Sequence, residues 1–520
     1  MISFGRRQLL LPLLRPSRST SSLRCLAPRL APYSLFSSSS FSSKSSSTSK
    51  ALDAFATVDP EDLSGKKPYQ VYNLVNGGWT LPKRSVVMPD PLNGQPFLQL
   101  PDTTTDELRP YIDSMKSVPK SGLHNPFKNP SRYLLYGDIS AKAAQALRDP
   151  AVEHFFARLI QRVAPKHYAQ AKAEVTISRV FLENFSGDQV RFLARSFGVP
   201  GDHTGQVSNG YRFPYGPVAI VSPFNFPLEI PLLQIMGALG SSRVAERLVN
   251  LLHGKVKIED AGFDWKVLGP DVADEDYVAW QCDQDAYAYS GQKCSAQSIL
   301  FAHENWHVAG LPDKLRQLAL RRSLKDFTLG PVLSVTTPRF ESHVESILTT
   351  IPGAKVMWGG KRLEKAAMAP HAIPECYGAW EPTAIYVPLA EMLASEEAFA
   401  LTTTEIFGPF YIYTTYKQEE LPLVLQALER MENHLTAAVV SNDVLFVQSM
   451  VGSTVNGTTY VGRRARTTGA PQNHWFGPSG DPRGAGIGTP EAIKAVWSAH
   501  REVVTDQGPV PEGWKTPEAT

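Results

Sequence analysis

Short apolar runs rich in β-branched residues alternate with helical patterns along this chain, and this alternation constrains its fold most. Strand-like runs lie at 218–221, 384–387, 410–414 and 437–440, with helical patterns at 312–320 and 421–432. A helix between two strands carries the chain back to the starting edge of a sheet, so such strands pair in parallel. The sequence therefore predicts an α/β architecture with mostly parallel sheets. A chain of 520 residues is too long to pack around one hydrophobic core, so two or three domains are predicted.

The region before these runs is predicted to be mainly helical. Helical patterns begin at about 104 and cover 133–148, 151–163 and 180–197, after a strand candidate at 71–75. In the first of them, Leu108, Ile112 and Met115 share one face, as apolar residues three and four apart do in a helix. Two further strand candidates lie at 256–258 and 299–301.

Charge and composition exclude several classes of partner. The net charge is only +2, so neither a nucleic acid nor an anionic membrane is expected to bind. No apolar run approaches the roughly 20 residues that a membrane span needs. The four cysteines, Cys25, Cys282, Cys294 and Cys376, include no CxxC pair and no histidine at zinc-ligand spacing. We therefore expect reduced thiols, no metal and no disulfide framework.

Residues 1–50 differ in kind from the rest of the chain. They contain eight arginines and lysines and serine runs at 37–40 and 45–47, whereas the first acidic residue is Asp53. An Arg-rich, Ser-rich segment without acids is typical of an organellar transit peptide, which predicts import into the mitochondrial matrix. A plastid peptide or an inert disordered tail remains an alternative. A secretory signal fits less well, because the apolar run 9–14 is short and contains Pro12.

Three residues have the chemistry of covalent catalysis. Cys294 lies between a glycine-bearing turn and the apolar run 299–301, which places a thiol on a loop at a strand edge. Glu259 follows the strand candidate 256–258, where a carboxylate can act as general base. Asn225 lies in a proline-bracketed loop after 218–221, where a side-chain amide can stabilise an oxyanion. Taken singly, Cys294 also fits a buried structural thiol, and Glu259 a solvated charge.

The residues around these three resemble the aldehyde dehydrogenase superfamily. The motifs are Pro-Phe-Asn-Phe-Pro at 223–227, Glu259, Gly-Gln-Lys-Cys at 291–294 and Glu-Ile-Phe-Gly-Pro at 405–409. The resemblance runs from about residue 70 to the carboxyl terminus, apart from one gap. Within the superfamily, the segments 262–271 and 469–478 most resemble the plant type of the pyrroline-5-carboxylate dehydrogenases.

This resemblance implies the fold and the domains. We expect an aldehyde dehydrogenase fold, with a truncated Rossmann-like cofactor domain, an α/β catalytic domain and a small β oligomerisation element. The NAD-binding domain would cover 66–258 and the catalytic domain 259–495. The oligomerisation element would combine a hairpin at 199–215 with the carboxyl-terminal tail 496–520, and the protein is expected to form a homo-oligomer.

The resemblance also implies the mechanism. Cys294 would attack the aldehyde to give a thiohemiacetal, whose oxyanion Asn225 and the backbone N–H of Cys294 would hold. Hydride would pass to the cofactor NAD, and Glu259 would activate the water that hydrolyses the resulting thioester. The residues implied at the cofactor are Gly240, Ser241, Ser242, Phe224, Glu405 and Phe407. Those implied at the small-molecule aldehyde substrate are Ser295, Gly469, Ala470, Phe226 and Phe476.

One stretch departs from the family. Only 34 residues separate Asn225 from Glu259. A single βαβ unit needs about 30 residues or more, so the strands and helices that relatives place here, with a lysine for the adenosine ribose, have no room. We place the deletion between residues 239 and 240. It reflects either a segment missing from the printed sequence or a real isoform with a deficient cofactor site. A glycine-rich stretch at 484–488 lacks the context of a dinucleotide loop and is expected to form a tight turn.

The expected activity is NAD-dependent oxidation of glutamate γ-semialdehyde, the open form of Δ1-pyrroline-5-carboxylate, to glutamate in proline catabolism. Two alternatives remain open because of the deletion. A cofactor-independent thiol esterase would need only Cys294, Asn225 and Glu259. An inactive isoform without a complete NAD site would act only by assembling with complete chains.

Overall fold

The computed structural model describes residues 50–234, 250, 253, 255–259, 262–432, 434–469 and 474–520. Its strands form four sheets. The strands are β1 (Tyr69–Gln70), β2 (Asn73–Val75), β3 (Gly78–Thr80), β4 (Ser85–Pro89), β5 (Pro96–Pro101), β6 (Arg195–Pro200), β7 (Gln206–Pro214), β8 (Asp264–Leu268), β9 (Gln297–His303), β10 (Lys355–Trp358), β11 (Thr383–Tyr386), β12 (Phe410–Tyr416), β13 (Thr436–Val440), β14 (Thr458–Val461) and β15 (Ser498–Asp506).

The α-helices of the described residues surround these sheets, and none of them is long and apolar enough to cross a membrane. They are α1 (Lys50–Asp53), α2 (Thr105–Lys116), α3 (Ser131–Ala146), α4 (Pro150–Val163), α5 (Tyr168–Asn184), α6 (Glu229–Gln234), α7 (Glu275–Tyr287), α8 (Glu304–Val308), α9 (Leu311–Leu320), α10 (Thr337–Thr350), α11 (Lys365–Met368), α12 (Leu389–Leu393), α13 (Glu396–Thr402), α14 (Leu421–Arg430), α15 (Val444–Gly452) and α16 (Pro490–Trp497). Short 3-10 helices lie at Gly187–Ala194, Ala288–Gly291 and Gln418–Glu420.

The largest sheet has seven strands in the order β10-β11-β12-β9-β8-β13-β14. All its neighbours pair in parallel except β10, which is antiparallel to β11. Side chains of successive strand residues point to opposite faces, so Trp265 and Val267 enter one apolar cluster while Leu268 enters the other. With both faces covered, the predicted α/β architecture is confirmed, and the predicted strands 384–387, 410–414 and 437–440 correspond to β11, β12 and β13.

A separate antiparallel sheet joins the middle of the chain to its tail. Strand β7 pairs with β6 on one side and with β15 on the other, from Ser498 opposite Pro214 to Asp506 opposite Gln206. The hairpin predicted at 199–215 thus pairs with the tail predicted from 496 onward. The α-helix predicted at 180–197 was wrong beyond Asn184, where α5 ends, because a 3-10 helix follows at Gly187–Ala194 and β6 begins at Arg195.

The strand predicted at 218–221 was also wrong. These residues are not in a strand, and Val218, Ile220 and Val221 are 43%, 39% and 52% exposed. Ile258, from the strand predicted at 256–258, makes only an isolated bridge to Gly484. A strand needs a neighbour for its backbone N–H and C=O groups. No strand lies between β7 and β8 among the described residues, and none of these residues pairs with the apolar run at 218–221.

Candidate active site

Three of the predicted site residues precede adjacent strands of the seven-stranded sheet. Glu259 precedes β8, Cys294 precedes β9 and Glu405 precedes β12, and these strands are neighbours in the order β12-β9-β8. Because the three strands are parallel, their amino ends meet at one edge of the sheet. The topology therefore brings together residues that lie up to 146 positions apart in sequence.

Cys294 lies in a tightly anchored loop, residues 288–296, which we call the Cys294 loop. The side chain of Gln292 is buried, donates to the carbonyl of Pro331 at 3.0 Å and accepts from the N–H of Leu333 at 2.7 Å. Gly291 has φ +68°, and a Cβ there would overlap the carbonyl oxygen of Gly408. Only glycine therefore allows this close packing against the loop that carries Glu405.

Cys294 and Glu259 lie within electrostatic and hydrogen-bonding reach of each other. Burial raises the pKa of Cys294 well above its ordinary value, and the negative charges of Glu259, Asp264 and Glu405 raise it further. Glu259 itself is only 7% exposed. The sulfur is thus held protonated beside a buried carboxylate, which lies within reach of any acyl group formed on that sulfur.

Asn225 is buried and contacts the Cys294 loop directly. Its Nδ2 donates to the backbone carbonyl of Gln292 at 3.1 Å, and its Oδ1 has no hydrogen-bond partner among the described residues. A side-chain amide has two N–H donors, so one remains for a ligand. This arrangement places an oxyanion donor on the segment 223–227, which we call the Asn225 loop, next to the nucleophile.

The residues predicted at the nicotinamide end of NAD are brought together. The rings of Phe224 and Phe407 lie 6.0 Å apart with an interplanar angle of 73°, and Phe224 is 40% exposed. Glu405 is near enough to Cys294 for its charge to raise the thiol pKa. An exposed aromatic face and a carboxylate beside the sulfur fit the nicotinamide ribose half of a dinucleotide.

The structure supports the adenosine half of the predicted NAD site less completely. Gly240, Ser241 and Ser242, the predicted phosphate-facing residues, lie outside the described residues. The residues that are described between β7 and β8 supply no parallel strand on which an adenosine could rest. Within the described ranges, the fit to NAD therefore covers the nicotinamide end alone.

Of the predicted substrate residues, one adjoins Cys294 in sequence and another follows a residue that contacts the side chain of Lys293. Ser295 is buried and adjoins Cys294. Gly469 has φ +70° and follows Thr468, whose hydroxyl accepts from Nζ of Lys293 at 3.4 Å. Ala470 lies outside the described residues.

The two aromatic residues predicted around the aliphatic part of the substrate share an apolar cluster. Phe226 and Phe476 both pack against this cluster, whose buried members are Phe181, Ile230, Leu233 and Ile487. The backbone of Phe476 also exchanges hydrogen bonds with Ile487, at 3.0 and 2.7 Å. Within the glycine-rich stretch 484–488, Gly488 has φ +98°, a conformation that glycine adopts readily in a tight turn.

Two buried ion pairs near the site were not predicted. Lys166 pairs with Glu174 at 2.9 Å, and Lys266 pairs with Asp285 at 2.7 Å. Asp285 also accepts from the backbone N–H of Thr467 at 2.8 Å, which ties the predicted substrate loop to the sheet. The sequence carries no signal for such pairs, because a lysine or acid on an amphipathic segment is normally solvated.

Other classes of site find no support in the part of the chain that is described. Within it, no group of three or more histidine, cysteine or acidic residues is placed to hold a metal ion. Cys282, Cys294 and Cys376 are free thiols there.

Comparison with known proteins identifies the family. The aldehyde dehydrogenase family matches residues 80–243 and 238–495. The mitochondrial delta-1-pyrroline-5-carboxylate dehydrogenase 12A1 of Arabidopsis thaliana is 56% identical over 526 residues, covering 90% of this chain and 94% of that relative. A probable aldehyde dehydrogenase of Linum usitatissimum is similar to the same extent.

Solved structures confirm the fold. An NAD-dependent aldehyde dehydrogenase from Sinorhizobium meliloti superposes with a TM-score of 0.70 at 17% identity, covering 88% of this chain and 99% of that one. A betaine aldehyde dehydrogenase mutant from Staphylococcus aureus, solved in complex with NAD+, has a TM-score of 0.68 at 16% identity, covering 86% and 97%. The prediction of an oxidoreductase with NAD as its cofactor is confirmed at the level of the family. The chain belongs to the aldehyde dehydrogenase family.

Proposed function

We propose that this protein catalyses the NAD-dependent oxidation of L-glutamate γ-semialdehyde, the open form of Δ1-pyrroline-5-carboxylate, to L-glutamate. The reaction would take place in the mitochondrial matrix as a step of proline catabolism, in a homo-oligomer. The observation that carries the proposal is the proximity of Glu259 to the Cys294 thiol, on a loop that the amide of Asn225 contacts. The name of the Arabidopsis relative supports the substrate and the compartment.

Each catalytic residue has one task. The Cys294 thiol releases its proton to solvent water as its sulfur attacks the carbonyl carbon, and the Asn225 amide with the Cys294 backbone N–H holds the oxyanion of the thiohemiacetal. Bound NAD supplies the hydride acceptor, near Phe224, Glu405 and Phe407. Glu259 then removes a proton from water as that water attacks the Cys294 thioester, which releases the carboxylic acid and the thiol.

The substrate proposal uses two groups of predicted residues. Ser295 and the segment Gly469-Ala470 would receive the carboxylate of the semialdehyde. Phe226 and Phe476, which share an apolar cluster, would line the slot for its methylene groups. The domain proposal is unchanged, with 66–258 for the cofactor, 259–495 for catalysis, and the sheet of β6, β7 and β15 for oligomerisation.

Two findings support a missing segment between residues 239 and 240. The family matches in two ranges that meet at 238–243. Ninety per cent of 520 residues is about 468, so roughly 58 of the 526 positions aligned with the Arabidopsis relative have no residue here. Sequencing the transcript across this junction separates the explanations. A message without the segment identifies a real isoform, whereas a message with it shows that the printed sequence is short.

Cofactor-independent ester hydrolysis is the second candidate function. The observation that favours it is that Glu259 lies beside Cys294 and Asn225 contacts the Cys294 loop, while the strand predicted at 218–221 does not form. A non-catalytic subunit that assembles with complete chains is the third candidate, and it rests on the same missing strand.

The test is an assay of the purified chain with Δ1-pyrroline-5-carboxylate and NAD. We expect NADH formation that Cys294→Ala abolishes and that the matched control Cys376→Ala, at an exposed thiol, leaves unchanged. Hydrolysis of p-nitrophenyl acetate that needs Cys294 but ignores NAD, without NADH formation, would replace the first proposal with the second. Absence of both activities, with co-purification of full-length subunits, would favour the third.

A further inference from the structure

A buried lysine outside the proposed catalytic residues contacts the Asn225 loop. Nζ of Lys166 donates to the backbone carbonyl of Asn225 at 2.8 Å and to Oε2 of Glu174 at 2.9 Å. Both side chains of this ion pair are buried, at 1% and 0% exposed. Placing two charges in the interior costs free energy that a carbonyl acceptor alone does not return. This cost suggests that the buried ion pair has a functional role.

The carboxylate of this pair holds the other end of the same segment. Oε1 of Glu174 accepts from the backbone N–H of Leu228 at 2.9 Å and of Glu229 at 3.3 Å, where α6 begins. The pair thus fixes the chain at Asn225 from one side and at 228–229 from the other. Since the preceding residues 218–221 are in no strand, these hydrogen bonds replace the support that a sheet would give.

The ammonium group also touches the Cys294 loop. It lies 4.5 Å from the ring centroid of Phe226 and 4.1 Å from that of Tyr289, five residues before the nucleophile. A cation between two aromatic faces is attracted to both, and the attraction is larger away from water. Lys166 is therefore in contact with the loop of the oxyanion donor and with the loop of the nucleophile.

We infer that Lys166, held by Glu174, is a positioning residue that sets the Asn225 amide against Cys294. A peptide unit is planar, so holding the carbonyl of Asn225 holds its Cα, the atom from which the side chain projects. The side chain then reaches the carbonyl of Gln292, as observed at 3.1 Å. The inference rests on the proposed covalent chemistry of Cys294, but it needs neither NAD nor a particular aldehyde.

The test uses the full chain and hydrolysis of p-nitrophenyl acetate, which requires the oxyanion donor but no cofactor. Lys166→Met alone leaves a buried unpaired carboxylate, so the principal variant is Lys166→Met with Glu174→Gln, which removes both charges. We expect kcat to fall about 100-fold, the usual cost of misplacing a catalytic group by about 1 Å. The KM and the rate of Cys294 alkylation by iodoacetamide stay within about threefold, because the thiol itself is not moved.

The matched control is Lys172→Met. Lys172 lies on the same helix as Glu174 and pairs with Glu153 at 3.2 Å, but its side chain is 50% exposed. This variant keeps the parent kcat, because exposed ion pairs contribute little.

A double-mutant cycle shows whether Lys166 acts through Asn225. In an Asn225→Ala background, the paired substitution at Lys166 and Glu174 lowers kcat by less than about threefold, because the group being positioned is already gone. A full additional loss in that background would overturn the inference, as would an unchanged kcat in the Asn225 parent. Failure of both Lys166 variants to fold would also overturn it, since the pair would then serve stability alone. Absence of NADH formation with intact ester hydrolysis contradicts only the proposed dehydrogenase function.

Discussion

Replacing Gly291 by alanine tests how closely the Cys294 loop packs against the loop of Glu405 and Phe407. Gly291 has φ +68°, and an added Cβ would overlap the carbonyl oxygen of Gly408. The substitution therefore has two costs, one from the left-handed backbone and one from the collision. Gly310 offers a matched control, because it has φ +83° and an added Cβ there would meet nothing within 4 Å.

The two costs have different magnitudes. A left-handed conformation costs a non-glycine residue about 1–2 kcal/mol, and Gly310→Ala should lose only this amount. Inserting a carbon into a packed site costs about 1–3 kcal/mol more, because the neighbouring backbone must move. Gly291→Ala should therefore lose about 2–5 kcal/mol of unfolding free energy in total.

Urea unfolding of both variants measures this difference. We also expect the KM for NAD to rise in Gly291→Ala alone, because displacement of Gly408 moves the neighbouring Phe407 away from Phe224. Equal stability of the two variants within about 0.5 kcal/mol would refute the close packing of the two loops. An unchanged KM for NAD beside a large loss of stability would refute the assignment of Phe407 to the cofactor.

Three further outcomes test the site. The alkylation rate of Cys294 by iodoacetamide should rise with pH through the alkaline range, because its raised pKa leaves little thiolate at neutral pH, and a plateau below pH 8 would contradict this. Glu259→Gln removes one of the negative charges that raise that pKa, so the alkylation profile should move to lower pH while hydrolysis of the acyl-enzyme slows about 10²- to 10⁴-fold, seen as a burst of p-nitrophenol followed by a slow phase. Asn225→Ala should lower kcat for ester hydrolysis about 10²- to 10³-fold without changing the alkylation rate, and a parallel loss of both would indicate a collapsed site instead.

The sequence predicts those strands for which a neighbouring strand is also present. The runs that become β11, β12 and β13 pair with one another or with β8 and β9. Their apolar patterns were sufficient to predict them as strands. The run at 218–221 has the same composition but remains exposed, because strand formation depends on a neighbour and not on the strand alone. Local sequence contains no measure of whether that neighbour exists.

The candidate site shows a similar division. Cys294, Glu259 and Asn225 were predicted from motifs, and the structure brings Glu259 beside the Cys294 thiol and the Asn225 amide against the backbone of Gln292. Lys166 and Glu174 were missed, because their burial results from the packing of α5 against the Asn225 loop, which is a tertiary property. A charged residue eight positions from an opposite charge has no helical register that would have indicated the pair.

The position of β9 in the middle of the seven-stranded sheet has a dynamic consequence for the nucleophile. Its backbone is hydrogen-bonded to β8 on one side and to β12 on the other, and Ile299 to Ala302 are fully buried. Local unfolding does not expose a central, fully buried strand, so the amides of 297–303 should exchange with deuterium only through global unfolding. Cys294 stands three residues before this strand. The strand that anchors Cys294 is therefore among the last parts of the chain to unfold. Fluctuations in the neighbouring cofactor region should leave the sulfur in place.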